Sequence, residues 1–474
     1  MSKQKIVFGT GGWRTLIGQG FDKTNVLKVV AAISEVFKGA VVYISYDHRF
    51  LSVEAANWAA EYLLSRDHIV HYSDQPIPTP VHMHYVLKQQ LEIGLMITAS
   101  HNPYLYNGIK VIVKEGRDAP LELTQKLEKI ANSFTESQLL IDDQKVDRSN
   151  LINVNPIKNY VNDVIRLIDI ERIKTRDFRV LIDPMHGVSR DTLQMLLAQG
   201  YVLVDFINEE QDAFFGSKMP APEENVLELL KMKIIHDGKY DFGIATDADA
   251  DRVALIDDKG RYLDANTILS LIYDYLLSYT THRGAVVRNT TTTHLLDDIA
   301  SNFNQQSYEV PVGFKQISQT MTKYDALLGG ESSGGIALRN HIHGKDGIFV
   351  ALIIFEMLSA SGRKLSQLVD RLHQKYGKYY SSEIRVNFAE KQKAEFLKFI
   401  ENYEIFELRG LEIKNVSRND GLKIVYSEGS WVSLRLSGTE PLFRAVVESR
   451  NKDTKRRIKY NIINLLEREL NAIA

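Results

Sequence analysis

Residues 93–110 read I-G-L-M-I-T-A-S-H-N-P-Y-L-Y-N-G-I-K. The stretch opens as an apolar run around Gly94, as a buried strand does. It then breaks into polar, Pro- and Gly-punctuated sequence that cannot continue that strand. Ser100 therefore falls on a turn at a strand end, with His101, Asn102 and Pro103 beside it. A hydroxyl presented in this way is placed to be a nucleophile or the carrier of a covalent group. The plain alternative is a turn whose Ser and Asn side chains satisfy the loop backbone, and the rest of the chain has to decide between the two.

Working outward, I-V-F-G-T-G-G-W-R (6–14) is a short strand entering a Gly-rich loop that ends in Arg14. Glycines let a backbone approach a ligand closely, and an arginine behind them offers a fork of donors for phosphate. Residues 24–38 carry a helical pattern, V-V-Y-I-S-Y-D reads as a strand, 53–66 as a helix and I-V-H-Y as a strand. That alternation is α/β. After the Ser100 turn, V-I-V-K-E-G-R closes a hairpin, a helix follows from about Leu121, and the polar segment 141–150 is the first boundary.

A second cycle runs from a helix near Pro156 through the strand R-V-L-I-D-P-M-H-G (179–187) to D-F-G-I-A-T, D-A-D-A-D-R and V-A-L-I-D. A strand-end loop of this kind brings Asp247, Asp249 and Asp251 together. Three carboxylates without a cation raise one another's pKa values; with Mg²⁺ they supply three hard oxygen ligands of an octahedron. The third cycle has D-A-N-T-I-L-S-L-I-Y-D-Y-L-L as a helix, A-V-V-R-N-T as a strand and T-T-H-L-L-D-D-I-A as a helix. P-V-G-F-K (311–315) then leads into L-L-G-G-E-S-S-G-G (327–335). Paired glycines around one Glu and two Ser present a carboxylate and hydroxyls, a chemistry suited to sugar hydroxyls.

From Gly377 short alternating strands such as S-E-I-R-V-N-F and G-L-K-I-V-Y, with helices at K-Q-K-A-E-F-L-K-F-I and from Thr454, indicate a separate α+β domain. At its centre, W-V-S-L-R-L-S-G-T-E-P-L-F-R (431–444) gathers Arg435, Ser437, Gly438, Thr439 and Arg444, a set matched to a phosphate dianion. The expected domains are 1–150, 151–256, 257–376 and 377–474. The residues themselves read as three α/β cycles followed by an α+β domain.

Composition sets outer limits. With 474 residues, 44% hydrophobic and 25% charged, the chain is too long for one core. A net charge of −2 argues against a general polyanion binder, so no nucleic-acid partner is expected. The absence of cysteine excludes thiol catalysis, disulfides and Cys-ligated zinc. No apolar run approaches a membrane span or a signal peptide, which leads to the expectation of a soluble, cytoplasmic protein.

Four loops in this order resemble those of the alpha-D-phosphohexomutases: T-A-S-H-N-P with N-G-I-K, D-A-D-A-D-R, G-E-S-S-G, and R-L-S-G-T-E-P-L-F-R. The resemblance implies four domains around a central cleft, the first three related α/β domains with mixed sheets and the last an α+β domain that acts as a mobile lid. It implies that Ser100 carries a phosphoryl group, with Mg²⁺ held by Ser100, Asp247, Asp249 and Asp251. Glu331 and Ser333 would meet sugar hydroxyls, Lys315 and Lys345 the substrate, and the cluster from Arg435 to Arg444 its phosphate. Arg14 and Arg252 would stabilise the transferring group, with Lys110, its pKa brought near neutrality, or His101 as proton acceptor. The reaction implied interconverts alpha-D-glucose 1-phosphate and glucose 6-phosphate through a hexose 1,6-bisphosphate, with glucose 1,6-bisphosphate as activator. Phosphomannomutase or phosphoglucosamine mutase activity is the alternative.

Three departures from the family pattern bear on this reading. Ser332 stands where many phosphoglucomutases have a second glutamate. Gly335 stands where the mannose-accepting branch often has histidine, while H-I-H-G-K-D-G-I resembles the phosphoglucomutase branch and favours glucose. Ala248 and Ala250 stand where glycine is more frequent, which is tolerated unless φ > 0 is needed there. His341 and His343 receive no role. The rival readings, a metal-dependent nucleotidyl- or glycosyltransferase and a non-catalytic sugar-phosphate sensor, predict respectively no phosphate on Ser100 and binding without turnover.

Overall fold

Apolar strands bounded by polar turns and separated by amphipathic helices pair in parallel, because a helix long enough to cross back over the sheet joins them. A computed structural model describes residues 5–388, 392–402, 410–436 and 442–473. The described residues form four sheets. In the first, Val41–Tyr46 lies between Ile69–Ser73 and Ile93–Ile97, parallel to both, and Tyr106–Val113 returns antiparallel on Ile93–Ile97. Every residue of Ile93–Ile97 is buried. Gly12–Leu16 extends the sheet antiparallel on Tyr106–Val113, aligning Arg14 with Gly108. Arg117–Asp118 closes the expected hairpin.

The second and third sheets repeat the central motif. Arg179–Asp183 lies between Leu203–Phe206 and Phe242–Thr246, all parallel, with Val253–Ile256 antiparallel on Phe242–Thr246. Val286–Asn289 lies between Ser307–Val310 and Leu328–Gly330, with Ile336–Leu338 antiparallel on Leu328–Gly330. The Ser100, Asp247–Arg252 and Glu331–Gly335 loops therefore occupy one topological position in three repeats, the turn from the last parallel strand into its antiparallel partner. The fourth sheet is antiparallel, ordered Tyr380–Asn387, Leu442–Ser449, Trp431–Leu436, Leu422–Tyr426, Ile413–Ser417. It has its own core, in which Ile458, Ile462 and Leu466 of the last helix cover Val432, Leu434 and Phe443.

Two segments differ from the sequence boundaries. Leu151–Val154, expected to open the second domain, pairs in parallel with Ile69–Ser73, so the first sheet extends past residue 150. Tyr262–Leu263, expected in the third, completes the second sheet on Val253–Ile256. Helix Gly347–Ser361 is apolar on nearly every side and is buried among the helices of the second and third repeats, which share one core. Among the described residues, no helix is long and apolar enough to cross a membrane.

Candidate active site

In each repeat the central parallel strand runs out into a side chain that accepts a hydrogen bond from the backbone two residues on: Asp47 from Arg49 N (3.0 Å), Asp183 from Met185 N (2.8 Å) and Asn289 from Thr291 N (3.0 Å). These Asx turns set a rigid loop beside each site loop. In the second repeat Val188 N donates to Ala248 O (3.0 Å), and a Cβ on Gly187 would stand 2.5 Å from that oxygen. In the third, Ser332 N donates to Thr292 Oγ1 (3.1 Å).

In the first repeat the brace is an arginine. Arg49, side chain fully buried, donates through Nη1 to Pro103 O and Tyr106 O (3.0 Å each) and through Nη2 to Ser100 O (2.5 Å) and Asn102 O (2.6 Å). Its Nε faces Asp47 at 3.4 Å, and Asp47 also accepts from Thr98 Oγ1 (2.6 Å) and Ser52 Oγ (2.8 Å). A planar fork reading four carbonyls holds the Ser100 turn in one shape. Ser100 has φ 52°, a left-handed conformation that costs a non-glycine residue about 1–2 kcal/mol, and this scaffold imposes it. Arg14 donates to Asn102 Oδ1 (2.8 Å) from the neighbouring Gly-rich loop.

Ser100 is fully buried, and its hydroxyl donates to Asp247 Oδ2 at 2.8 Å, across the boundary between the first and second repeats. Asp247, Asp249 and Asp251 are all fully buried and offer carboxylate oxygens within 4.8 Å of one another. Cations surround them. Lys110 Nζ donates to Asp249 (2.5 Å) and Asp251 (2.6 Å), Lys345 Nζ lies 2.9 Å from Asp251, and Thr79 Oγ1 donates to Asp249 (2.6 Å). Burial and the other two aspartates push the Asp247 carboxyl well above the usual carboxylate range. Burial works the same way on Asp251, but Lys110, Lys345 and Arg252 outweigh it and hold that group well below the range.

Asp249 Oδ1 and Asp251 Oδ1 are buried and have no hydrogen-bond partner among the described residues. Buried carboxylate oxygens in that condition cost free energy unless a ligand satisfies them. With Asp247 and the Ser100 hydroxyl they make a compact set of hard oxygens, the chemistry of a site for a small divalent cation. Ala250 takes φ 61°, so the loop does require the conformation for which glycine is the unstrained choice; alanine costs on the order of 1 kcal/mol here.

The charge state of Lys110 turns on Asp249 and Asp251, the same carboxylates that would hold a cation. Burial lowers its pKa, but Asp249 and Asp251 more than offset that, and the pKa ends above the ordinary lysine value. His101 Nδ1 is 3.4 Å from Ser100 Oγ, and burial with Arg252, Arg14 and Lys345 nearby keeps the ring neutral, its pKa well below the usual value.

In the third repeat Glu331 is 7% exposed; its Oε1 accepts from Gly313 N (3.2 Å) and Asn289 Nδ2 (3.4 Å), and its Oε2 from Ser333 Oγ (3.2 Å). Lys315 follows Gly313 on helix Phe314–Tyr324. A Cβ at Gly335 would stand 2.2 Å from Lys345 Cδ, so the Lys345 stem fills the space of a side chain there. Arg252 pairs across a β-bridge with Gly335 and lines Gly334. In the last domain Arg435 lies 3.6 Å from Asp420 and Arg444 3.7 Å from Glu383. Ser437, Gly438 and Thr439 lie outside the described residues. The sequence reading missed Arg49 and Thr79. Only the D-x-R spacing after a strand and the T-P pair at a helix start could have marked them.

Four family models match in sequence order: phosphoglucomutase/phosphomannomutase alpha/beta/alpha domain I over 5–138, domain II over 158–260, domain III over 264–376 and the C-terminal domain over 383–465. A phosphoglucomutase/phosphomannomutase of Thermococcus kodakarensis is 32% identical over 377 residues, 80% of this chain and 79% of that one. A phosphoglucosamine/phosphogalactosamine mutase of Sulfurisphaera tokodaii is 28% identical over 475 residues, 98% of each. The crystal structure of a putative phosphomannomutase from Thermus thermophilus superposes with a TM-score of 0.85 at 25% identity, over 98% of this chain and 100% of that one. The four domains and their matches define a mutase, an isomerase that moves a phosphoryl group within its substrate. The chain belongs to the phosphoglucomutase/phosphomannomutase family of the alpha-D-phosphohexomutase superfamily.

Proposed function

We propose that this enzyme exchanges a phosphoryl group between the 1- and 6-positions of a hexose through Ser100. The observation that carries the reading is the buried Ser100 hydroxyl 2.8 Å from Asp247, beside two buried aspartate oxygens that have no hydrogen-bond partner among the described residues. Ser100, Asp247, Asp249 and Asp251 would hold Mg²⁺, which when bound supplies charge stabilisation for phosphoryl transfer. Phosphorylated Ser100 gives its phosphoryl group to the free hydroxyl of a hexose phosphate, whose proton leaves with a nearby acceptor. The resulting hexose 1,6-bisphosphate turns over in the cleft and returns its other phosphoryl group to Ser100. Lys110 supplies fixed positive charge against Asp249 and Asp251, while Arg14 and Arg252 face the transferring group. Glu331 and Ser333 meet the hydroxyls, Lys315 and Lys345 line the substrate's path, and Arg435 and Arg444 with the loop 437–439 take the distal phosphate.

The expectation of a glucose preference gives way to a broader one. Relatives named for mannose and glucosamine substrates support phosphomannomutase or phosphoglucosamine mutase activity at least as well as phosphoglucomutase activity. Glucose, mannose and glucosamine 1-phosphates assayed side by side, with and without glucose 1,6-bisphosphate, rank the substrates and test the activator. Intact-mass measurement that finds no phosphate on Ser100 after incubation with the bisphosphate refutes the carrier role.

A further inference from the structure

The turn between strands Ile413–Ser417 and Leu422–Tyr426 of the last domain carries an aspartate, Asp420, whose side chain is only 16% exposed. Its two oxygens face different domains. Oδ2 accepts from Thr290 Oγ1 (3.0 Å) and from Val312 N (2.7 Å), both in the third repeat. Oδ1 lies 3.6 Å from Arg435 Nε, which is buried and has no hydrogen-bond partner among the described residues. The turn is pressed onto Arg435: at Gly421, φ 77°, a Cβ would stand 2.2 Å from Leu434 O and 3.0 Å from Arg435 Cβ. Only glycine permits that approach.

Both contacts in the third repeat lead into the sugar loop. Thr290 follows Asn289, whose side chain reaches Glu331 at 3.4 Å. Val312 precedes Gly313, whose N–H donates to Glu331 at 3.2 Å, and Lys315 is two residues further on. We infer that Asp420 is a positioning residue that holds Arg435 of the last domain in register with Glu331 and Lys315 when that domain lies over the cleft, and so sets the distance between the phosphate end and the hydroxyl end of a bound hexose phosphate. The inference rests on the reading of Arg435 as a phosphate ligand. A second tether between the same domains, Lys423 to Glu309 at 2.5 Å, does not touch Arg435 and serves as the control.

The test is a double-mutant cycle on the full-length enzyme with glucose 1-phosphate. Asp420→Asn keeps the shape and an acceptor but removes the charge that orients Arg435. It is expected to raise KM about tenfold and leave kcat within about twofold, as loss of one charge-assisted contact made equally in ground and transition states does. In the Arg435→Ala background the same substitution should add nothing, whereas Lys423→Met should add to Arg435→Ala independently. Thr290→Val, which removes one bond to Asp420 and leaves the turn intact, should raise KM in the same direction and keeps the test available if an Asp420 variant is unstable. An unchanged KM in Asp420→Asn, or an effect that persists in full without Arg435, overturns the inference and leaves the phosphate-ligand reading standing. A normal KM in Arg435→Ala alone overturns that reading and this inference with it.

Discussion

Replacing Arg49 with alanine should injure the enzyme twice, through stability and through placement of Ser100. The side chain is fully buried and is the donor to four loop carbonyls while paired with Asp47. Its removal leaves those carbonyls and one buried carboxylate short of partners. Breaking a buried pair by deleting one member costs about 3–5 kcal/mol, and water entering the space left by the guanidinium recovers part of the carbonyl cost, so a net loss of about 4 kcal/mol is a fair figure. For a domain of this size that lowers the melting temperature by about 10 °C. The left-handed conformation of Ser100 loses its enforcement at the same time, and a displacement of about 1 Å at a reacting atom costs on the order of a hundredfold in rate. Arg49→Lys restores the charge beside Asp47 but not the fork, so it should recover much of the stability and little of the rate. Differential scanning calorimetry and kcat at saturating substrate read the two effects separately. An Arg49→Ala enzyme that melts within about 2 °C of the parent and keeps kcat within about threefold refutes the reasoning.

Three further outcomes are expected. Ser100→Ala loses a single hydrogen bond worth about 1 kcal/mol, yet turnover should fall by several orders of magnitude with the melting temperature nearly unchanged and no rescue by glucose 1,6-bisphosphate; near-normal turnover contradicts the mechanism. Asp249→Asn should raise the Mg²⁺ concentration for half-maximal activity at least about tenfold, measured by metal titration of the chelator-treated enzyme, and an unchanged requirement would remove Asp249 from the metal set. His82 and His84 are buried, which pushes their pKa values down to about 3 and about 4. The unfolded chain therefore takes up protons that the folded one refuses, and stability should fall as pH drops from about 6.5 toward 4, a slope that His82→Gln should flatten in urea titrations at several pH values.

The four loops could be found in the sequence because each pairs a strand end with an unusual local composition. Asp247, Asp249 and Asp251 alternate with alanines, and Ser100 breaks out of an apolar run. Arg49 could not be found that way. Its four acceptors lie 51–57 residues downstream, and backbone carbonyls carry no residue-specific signal. Thr79 was hidden for the same reason, since its partner Asp249 is 170 positions away. Lys110 was legible as a site residue but its ion pairs were not, because they run to two aspartates from another domain. The boundary near residue 150 was misread because polar sequence marks where a helix or turn ends. It does not tell whether the next strand, Leu151–Val154, joins the sheet behind it or the one ahead.

The contact between Ser100 and Asp247, with Lys110 and Thr79 reaching the other aspartates, joins the first repeat to the second. The reacting centre is thus also a weld: neither half possesses it alone, and a metal bound there is a crosslink whose binding energy is added to the docking of the two domains. Chelation should therefore loosen the join as well as stop the chemistry. A protease that cuts between the first two domains should find its target sooner in the stripped enzyme than in the loaded one.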